Sequence, residues 1–423
     1  MAHCQANALI IVNDNDMAID ENLGGLATFL DDQHGHGGPS QWFTALGFTY
    51  RGLVDGHNLT QLMAAITELQ KLPGPKLLHI HTLKGKGYEP AENDPVGYHA
   101  LAKIDPVETV VTKHGATYAQ VFGQWVCDQA DTDDRLMAIT PAMIGGSGLE
   151  PFAQQHGNRL FDVAIAEQHA LTLAAGMACE GAKPIVAIYS TFLQRGYDQL
   201  IHDIVLQDLD ILLAIDRAGV VGEDGATHTG AYDLAFLRCL PNLVVMAPSS
   251  AAETSAMLSF GFHHQGPAAV RYPRGEAFAE LPLVTPIELG KGQVLQTAIK
   301  PNAIAVLNFG ALLDKAIVVA EAYDATLVDM RFVKPLDEAL LHQLLNQHMG
   351  FVTIEDHSCI GGAGSAVSEW LVQQESKVRL LCLGHEDAAL PHGSRDQGLH
   401  HTGLSVTAMV AKVAEWQAQL LAK

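Results

Sequence analysis

The sequence is poor in positive charge, in cysteine and in long apolar runs, and each shortage excludes something. Lys and Arg together number 25 against 47 Asp and Glu, a formal net charge of -22 over 423 residues. Such a field repels nucleic acid and anionic membrane surfaces, so neither is expected as a partner. It also repels phosphorylated substrates, so any phosphate site has to be built from local Arg residues against the general field. The six cysteines (Cys4, Cys127, Cys179, Cys239, Cys359 and Cys382) lie far apart with no CxxC pair. They read as free thiols in a reducing cytoplasm. No run of about 18 apolar residues is present, so no membrane span is expected. The opening residues Met1-Ala2-His3-Cys4 lack the basic region and apolar core of a secretory leader. No internal repeat stands out. The short patch from His34 to Gly38 reads as a flexible turn, with a metal site as the lesser alternative.

What is abundant is apolar sequence in short pieces. Hydrophobic residues make up 48% of the chain, enough for large cores, and the length fits two to three domains. Residues 8–12 and 77–82 read as buried strands, and residues 59–69 between them have helical spacing. Residues 84–106, rich in Gly, Pro and charge, read as a long loop. A helix begins near Thr117. Strands follow at 136–139, 184–188, 211–215 and 243–246, and again at 303–307, 325–328, 351–354 and 378–382; a last helix runs from about Ser405. Strands alternating with helices predict an α/β fold of mostly parallel sheets flanked by helices. The expected domains are 1–112, 113–288 and 289–423. In such sheets ligands gather at the carboxyl edge of the strands.

Five strings place polar groups at such edges. Residues 12–17 (VNDNDM) put Asn and Asp after a strand, which suits a hard cation such as Mg²⁺ as well as a plain turn. In residues 161–170 (FDVAIAEQHA), Glu167 sits in an apolar run. Burying it is costly without a partner, so it either shares a proton with a ligand ring nitrogen or pairs with a nearby base at the helix start. Residues 189–199 crowd Tyr189, Phe192, Arg195 and Tyr197 after a strand. They suit a stacked heteroaromatic ring, or ordinary core packing. Residues 216–230 carry four Gly with Arg217, Asp224 and His228, a loop able to approach a ligand closely. His228 is a candidate acid/base there, and Arg217 a candidate phosphate ligand. Residues 271–275 (RYPRG) set two Arg around a Pro-fixed turn, with surface ion pairing as the alternative.

Taken in order, these strings resemble the transketolase superfamily, and most closely its 1-deoxy-D-xylulose-5-phosphate synthase family. The resemblance runs from Ala8 to nearly the end. It is also carried by residues 48–57 (FTYRGLVDGH), 84–91 (KGKGYEPA), 136–143 (LMAITPAM), 184–195 (PIVAIYSTFLQR), 214–219 (AIDRAG), 328–337 (VDMRFVKPLD) and 361–365 (GGAGS). It implies a transketolase-like fold, a C-terminal domain used mainly in dimerisation, and a homodimer. It implies thiamine diphosphate and Mg²⁺ as cofactors, and the condensation of pyruvate with D-glyceraldehyde 3-phosphate. By the same resemblance Glu167 hydrogen-bonds the cofactor's pyrimidine, Phe192 stacks on it, and Ile165 lies beside it. Asn15 and the carbonyl of Met17 ligate Mg²⁺. Tyr189, Arg217 and Arg274 hold the aldehyde phosphate, Asp224 and His228 line the donor side, and His99, with Lys86 near it, belongs to the site.

Two departures accompany the resemblance. The family has a Gly-Asp-Gly motif a few tens of residues before its Asn-Asp-Asn, whereas Asn13 here is twelve residues after Met1. On that ground the diphosphate half-site is expected to be incomplete within this chain. That leaves a shortened form of an ordinary enzyme, a missing piece supplied by another polypeptide, or an inactive homologue that only dimerises; a transketolase-like transfer to a different acceptor is a separate alternative. The family's long insert between the Asn22-Leu23-Gly24-Gly25 region and residues 43–47 is also short here.

Overall fold

The computed structural model describes residues 3–17, 25, 29–30, 38–99, 115–278, 285–301 and 303–421. Most of the short insert, and the His34 to Gly37 part of the expected turn, lie outside the described residues; Gly38 opens the helix Gly38–Ala45. The chain divides into two compact units, Met1–Thr109 and Val110–Lys423.

The first unit holds a three-stranded parallel sheet of β1 (Leu9–Asp14), β2 (Thr49–Asp55) and β3 (Lys76–His81), in the order β1-β3-β2. β3 is central and almost wholly buried, which explains its continuous apolar text. The helix Leu59–Gln70 is capped by Asn58, whose side chain accepts the Gln61 N–H at 3.2 Å. Its Leu62, Ala65, Ile66 and Leu69 recur at helical spacing and pack on Val54, Leu78 and Ile80. The expected loop after β3 contains one short helix, Glu89–Asn93, and its residues 100–106 lie outside the described residues.

The second unit contains two sheets. The larger has seven strands: β4 (Leu136–Thr140), β5 (Leu160–Asp162), β6 (Lys183–Tyr189), β7 (Leu212–Asp216), β8 (Val244–Met246), β9 (Ala268–Arg271) and one from further along the chain, β13 (Phe332–Lys334). The other has β10 (Gln293–Gln296), β11 (Ile304–Phe309), β12 (Thr326–Asp329), β14 (Gly350–Ser358) and β15 (Arg379–His385). Their orders are β13-β8-β9-β7-β6-β4-β5 and β10-β12-β11-β14-β15. All pairings are parallel except those of β13 with β8 and of β10 with β12. The expected α/β class is therefore the observed one. β2, β5, β9, β10 and β13 are additional to the strands read from the sequence.

Helices Tyr118–Ala130 and Ala251–His263 cover one face of the seven-stranded sheet through Phe122, Trp125, Met257 and Phe262. The helix Glu167–Cys179 packs on the other through Ala170, Leu171 and Ala174. That second cluster continues through Val245 and Val333 to Leu307 and Phe309 of the five-stranded sheet, so the two sheets share a core. No helix among the described residues is long and apolar enough to cross a membrane, and all six cysteines are free thiols.

Candidate active site

The carboxyl ends of β6 and β7 carry most of the second unit's candidate residues. β6 ends at Tyr189, which is buried; the chain then turns into a short helix, Ser190–Leu193, that brings Phe192 back onto it. The two rings stack at 5.1 Å and 11°. The Arg217 guanidinium lies over the other part of this stack, 4.3 Å from the Tyr189 ring centroid, and His228 meets Phe192 edge-on at 5.7 Å. Burial pushes the Tyr189 phenol well above its ordinary value.

β7 ends at Asp216, and Arg217 follows in the left-handed region at φ 58°. That turn lets Arg217 Nη1 donate to Asp216 Oδ2 at 2.5 Å and to the Gly146 carbonyl at 2.6 Å. Burial raises the Asp216 carboxyl to about 6 even against the Arg217 charge. Arg274 lies after β9 and donates to Asp224 Oδ2 at 2.9 Å and to the Val221 carbonyl at 3.2 Å. Arg217 and Arg274, distant in sequence, line one cavity of about 190 Å³ with Asp216, Thr117 and Gly275. Two guanidiniums facing one small cavity suit a dianion.

Glu167 opens its helix and is 2% exposed. A single guanidinium nitrogen, Arg195 Nη1, donates to both its oxygens at 3.1 and 2.9 Å. The partnered-acid alternative is thus what the fold contains, and the base is an Arg already present in the aromatic string. One nitrogen shared by two oxygens leaves carboxylate lone pairs open to a further donor. Ile165, two residues earlier, is 51% exposed, an apolar surface that a ring could cover. His228 makes a 2.9 Å hydrogen bond between Nδ1 and Thr227 Oγ1.

In the first unit Asn15 follows β1, and its Oδ1 accepts the Met17 N–H at 3.2 Å, an Asx turn. Asn13 and Asp14 are engaged by Thr82 and His79 at 2.7 and 3.3 Å. Lys86 is exposed, 3.9 Å from Glu92. His99 is exposed, and its N–H donates to the Val96 carbonyl at 3.1 Å. Among the described residues no three His, Cys, Asp or Glu side chains are grouped to hold a metal. An Mg²⁺ at Asn15 and Met17 would take its remaining oxygens from ligand and water.

The sequence reading passed over Asp216, Arg195 as the partner of Glu167, and Thr117 as a cavity wall. Only Asp216 carried a signal, as an acid closing a strand directly before an Arg.

The chain's sequence is that of a transketolase-type protein. The sequence description "Transketolase, pyrimidine binding domain" matches residues 114–278, and "Transketolase, C-terminal domain" matches 291–409. The description "1-deoxy-D-xylulose-5-phosphate synthase" matches residues 34–82. The 1-deoxy-D-xylulose-5-phosphate synthase of Pseudomonas entomophila is 48% identical, over 98% of this chain and 72% of that protein. That of Thioalkalivibrio sulfidiphilus is 49% identical, over 97% and 70%. The chain belongs to the 1-deoxy-D-xylulose-5-phosphate synthase family. Among solved structures, a split-gene transketolase described as an inactive beta4 tetramer has 28% identity and a TM-score of 0.63, covering 71% of this chain and 98% of that one. A transketolase from Campylobacter jejuni, 14% identical with a TM-score of 0.61, covers 96% of this chain and 72% of its own and shares the fold.

Proposed function

We propose that this chain catalyses the thiamine diphosphate-dependent condensation of pyruvate with D-glyceraldehyde 3-phosphate, giving 1-deoxy-D-xylulose 5-phosphate and CO₂ at the entry to non-mevalonate isoprenoid synthesis. The observation that carries the reading is the cavity lined by both Arg217 and Arg274, two cations brought to one small cavity in a chain whose net charge is -22. Thiamine diphosphate, when bound, supplies the nucleophilic carbon and the electron sink for decarboxylation.

The chain's own residues bind, orient and move protons. Glu167 holds a proton against the pyrimidine nitrogen, using the carboxylate lone pairs that Arg195 leaves open. Phe192 and Ile165 give the ring apolar surface to lie on. Arg217 and Arg274 grip the aldehyde phosphate, with Tyr189 stacked beneath Arg217 to fix its plane. Asp224 and His228 line the donor side, and His228 handles the proton at the reacting oxygen. In the first unit Asn15 and the Met17 carbonyl are the Mg²⁺ ligands, Lys86 is a cofactor contact and His99 a second active-site histidine. The chain works in the cytoplasm as a homodimer.

A second reading has one observation in its favour. The split-gene transketolase chain similar to 71% of this one is described as inactive and tetrameric. By analogy this chain would self-associate without catalysing. Calorimetric titration of the 423-residue chain with thiamine diphosphate and Mg²⁺ separates the two. Saturable binding near one site per chain, with turnover of both substrates, supports the enzyme. No binding by a folded chain favours the second reading.

A further inference from the structure

Residues 217–230 carry Arg217, Asp224 and His228, and the far end of the chain holds them at two points, beside the nearer contacts from Thr191, Arg271 and Arg274. Gly219 and Gly230 exchange backbone hydrogen bonds at 2.8 and 2.9 Å, closing the neck of the loop. At that neck Asp356, at the end of β14, accepts the Val220 N–H through Oδ1 at 3.0 Å. Gly219 has φ +77°, and a Cβ there would lie 2.2 Å from the Asp356 carboxyl carbon. Asp356 is itself fixed by His385 Nε2 at 2.8 Å and Arg395 at 2.7 Å. Burial opposes its ionisation, but the His385 hydrogen bond and the Arg395 charge prevail and hold the carboxyl well below the usual range.

The second hold is at the tip. His392 Nδ1 donates to the Glu223 carbonyl at 3.0 Å, and its ring lies where a Cβ on Gly225 would fall, 2.5 Å away. Glu223 and Asp224 are the two acids that flank Arg274, at 3.5 and 2.9 Å. The carbonyl that His392 holds therefore belongs to the dipeptide that sets where the Arg274 guanidinium points.

We propose that His392 and Asp356 are positioning residues for the phosphate cavity: they fix the 219–230 loop at its tip and neck, and through Asp224 they aim Arg274 at the cavity it shares with Arg217. The inference rests on the phosphate-site reading above. His392 is exposed, so its replacement spares the core. Its test uses the full chain, inorganic phosphate as the probe, and two variants. His392→Ala deletes the donor, and His392→Asn returns an N–H close to the position of Nδ1. One lost backbone-accepting hydrogen bond should open the loop roughly fivefold more often and weaken phosphate by a similar factor. Hydrogen exchange at Gly219–Gly230 and a calorimetric phosphate titration read the two effects, and the Asn variant should restore both. Loop exchange unchanged in His392→Ala overturns the proposal, as does faster exchange with phosphate affinity intact, or an Asn variant no better than Ala. If the parent chain binds no phosphate, the phosphate site fails and the proposal with it; parent binding that His392→Ala leaves unchanged sinks the positioning role alone.

Discussion

Replacing Arg274 with Ala tests the phosphate assignment with the least damage to the fold. The two cavity arginines are not equivalent. Arg217 is locked against the buried Asp216 at 2.5 Å and stacks on Tyr189, so its removal strands a carboxylate in the core. Breaking a buried pair in that way costs about 3–5 kcal/mol and would confuse binding with stability. Arg274 is 36% exposed, and its partners Glu223 and Asp224 are open to water, so both acids can be rehydrated once it is gone. Its loss should leave the melting temperature nearly unchanged, since exposed pairs contribute about 0–1 kcal/mol. A charge-assisted hydrogen bond to a phosphate contributes about 1.5–3 kcal/mol. Solvent screening at this exposure argues for the lower end, about 1.5 kcal/mol, roughly a tenfold rise in Kd. The assay is titration of parent and Arg274→Ala with D-glyceraldehyde 3-phosphate, and separately with pyruvate, at fixed ionic strength. Pyruvate lacks the phosphate, so its affinity should hold. An equal loss for both ligands, or none for either, would refute the assignment of this cavity to the phosphate.

Two further outcomes follow from buried acids. Glu167→Gln should abolish turnover while leaving far-ultraviolet circular dichroism and the melting temperature close to the parent's, because Arg195 is 56% exposed and returns to water cheaply; retained turnover would remove Glu167 from the chemistry. Asp329 is raised from its ordinary 3.8 to about 7, first by burial and then by the Glu253 charge. Between about pH 4 and 7 the folded chain therefore holds a proton there that the unfolded chain has released, so this group's contribution to stability falls as pH rises through that window. Asp329→Asn should flatten the decline of the melting temperature from pH 4 to 7.5 relative to the parent. His357, lowered to about 4 chiefly by burial, acts in the opposite direction but equally in both proteins, and identical slopes would show that Asp329 does not titrate as its burial demands.

The fold was legible where physics is local. β6, β7 and β11 are buried on both faces, so their text is continuously apolar and announces a parallel strand. The helix Tyr118–Ala130 announces its start through Thr117 and Gln120, which form a capping box. Two of the short strands gave no such signal. β13 is three residues long and pairs antiparallel with β8, and β5 is equally short at the sheet edge. Neither has enough residues for a period of two to appear. Pairing with β8 also takes β13 out of the sheet formed by its neighbours in sequence.

The site divides along the same line. Each arginine of the cavity that Arg217 and Arg274 line could be named from its own strand-end string, because a polar residue at a carboxyl edge lies where ligands gather in such sheets. What fixes those arginines could not be. Asp216 comes one residue before Arg217 and still passed for the end of a strand; Asp356 meets Val220 across 136 positions, and His392 meets Glu223 across 169. Neither distant partner has a motif, since one buried carboxylate and one exposed imidazole are ordinary residues until the fold brings them to a glycine with no side chain in the way. Gly219 and Gly225 were the nearest thing to a signal. Both take positive φ, and both leave room where a Cβ would strike the residue that holds the loop. From sequence the loop's glycines read as room for close approach to a ligand; in this fold Gly219 and Gly225 also lie where Asp356 and His392 hold the loop, and that hold is the property the His392 variants measure.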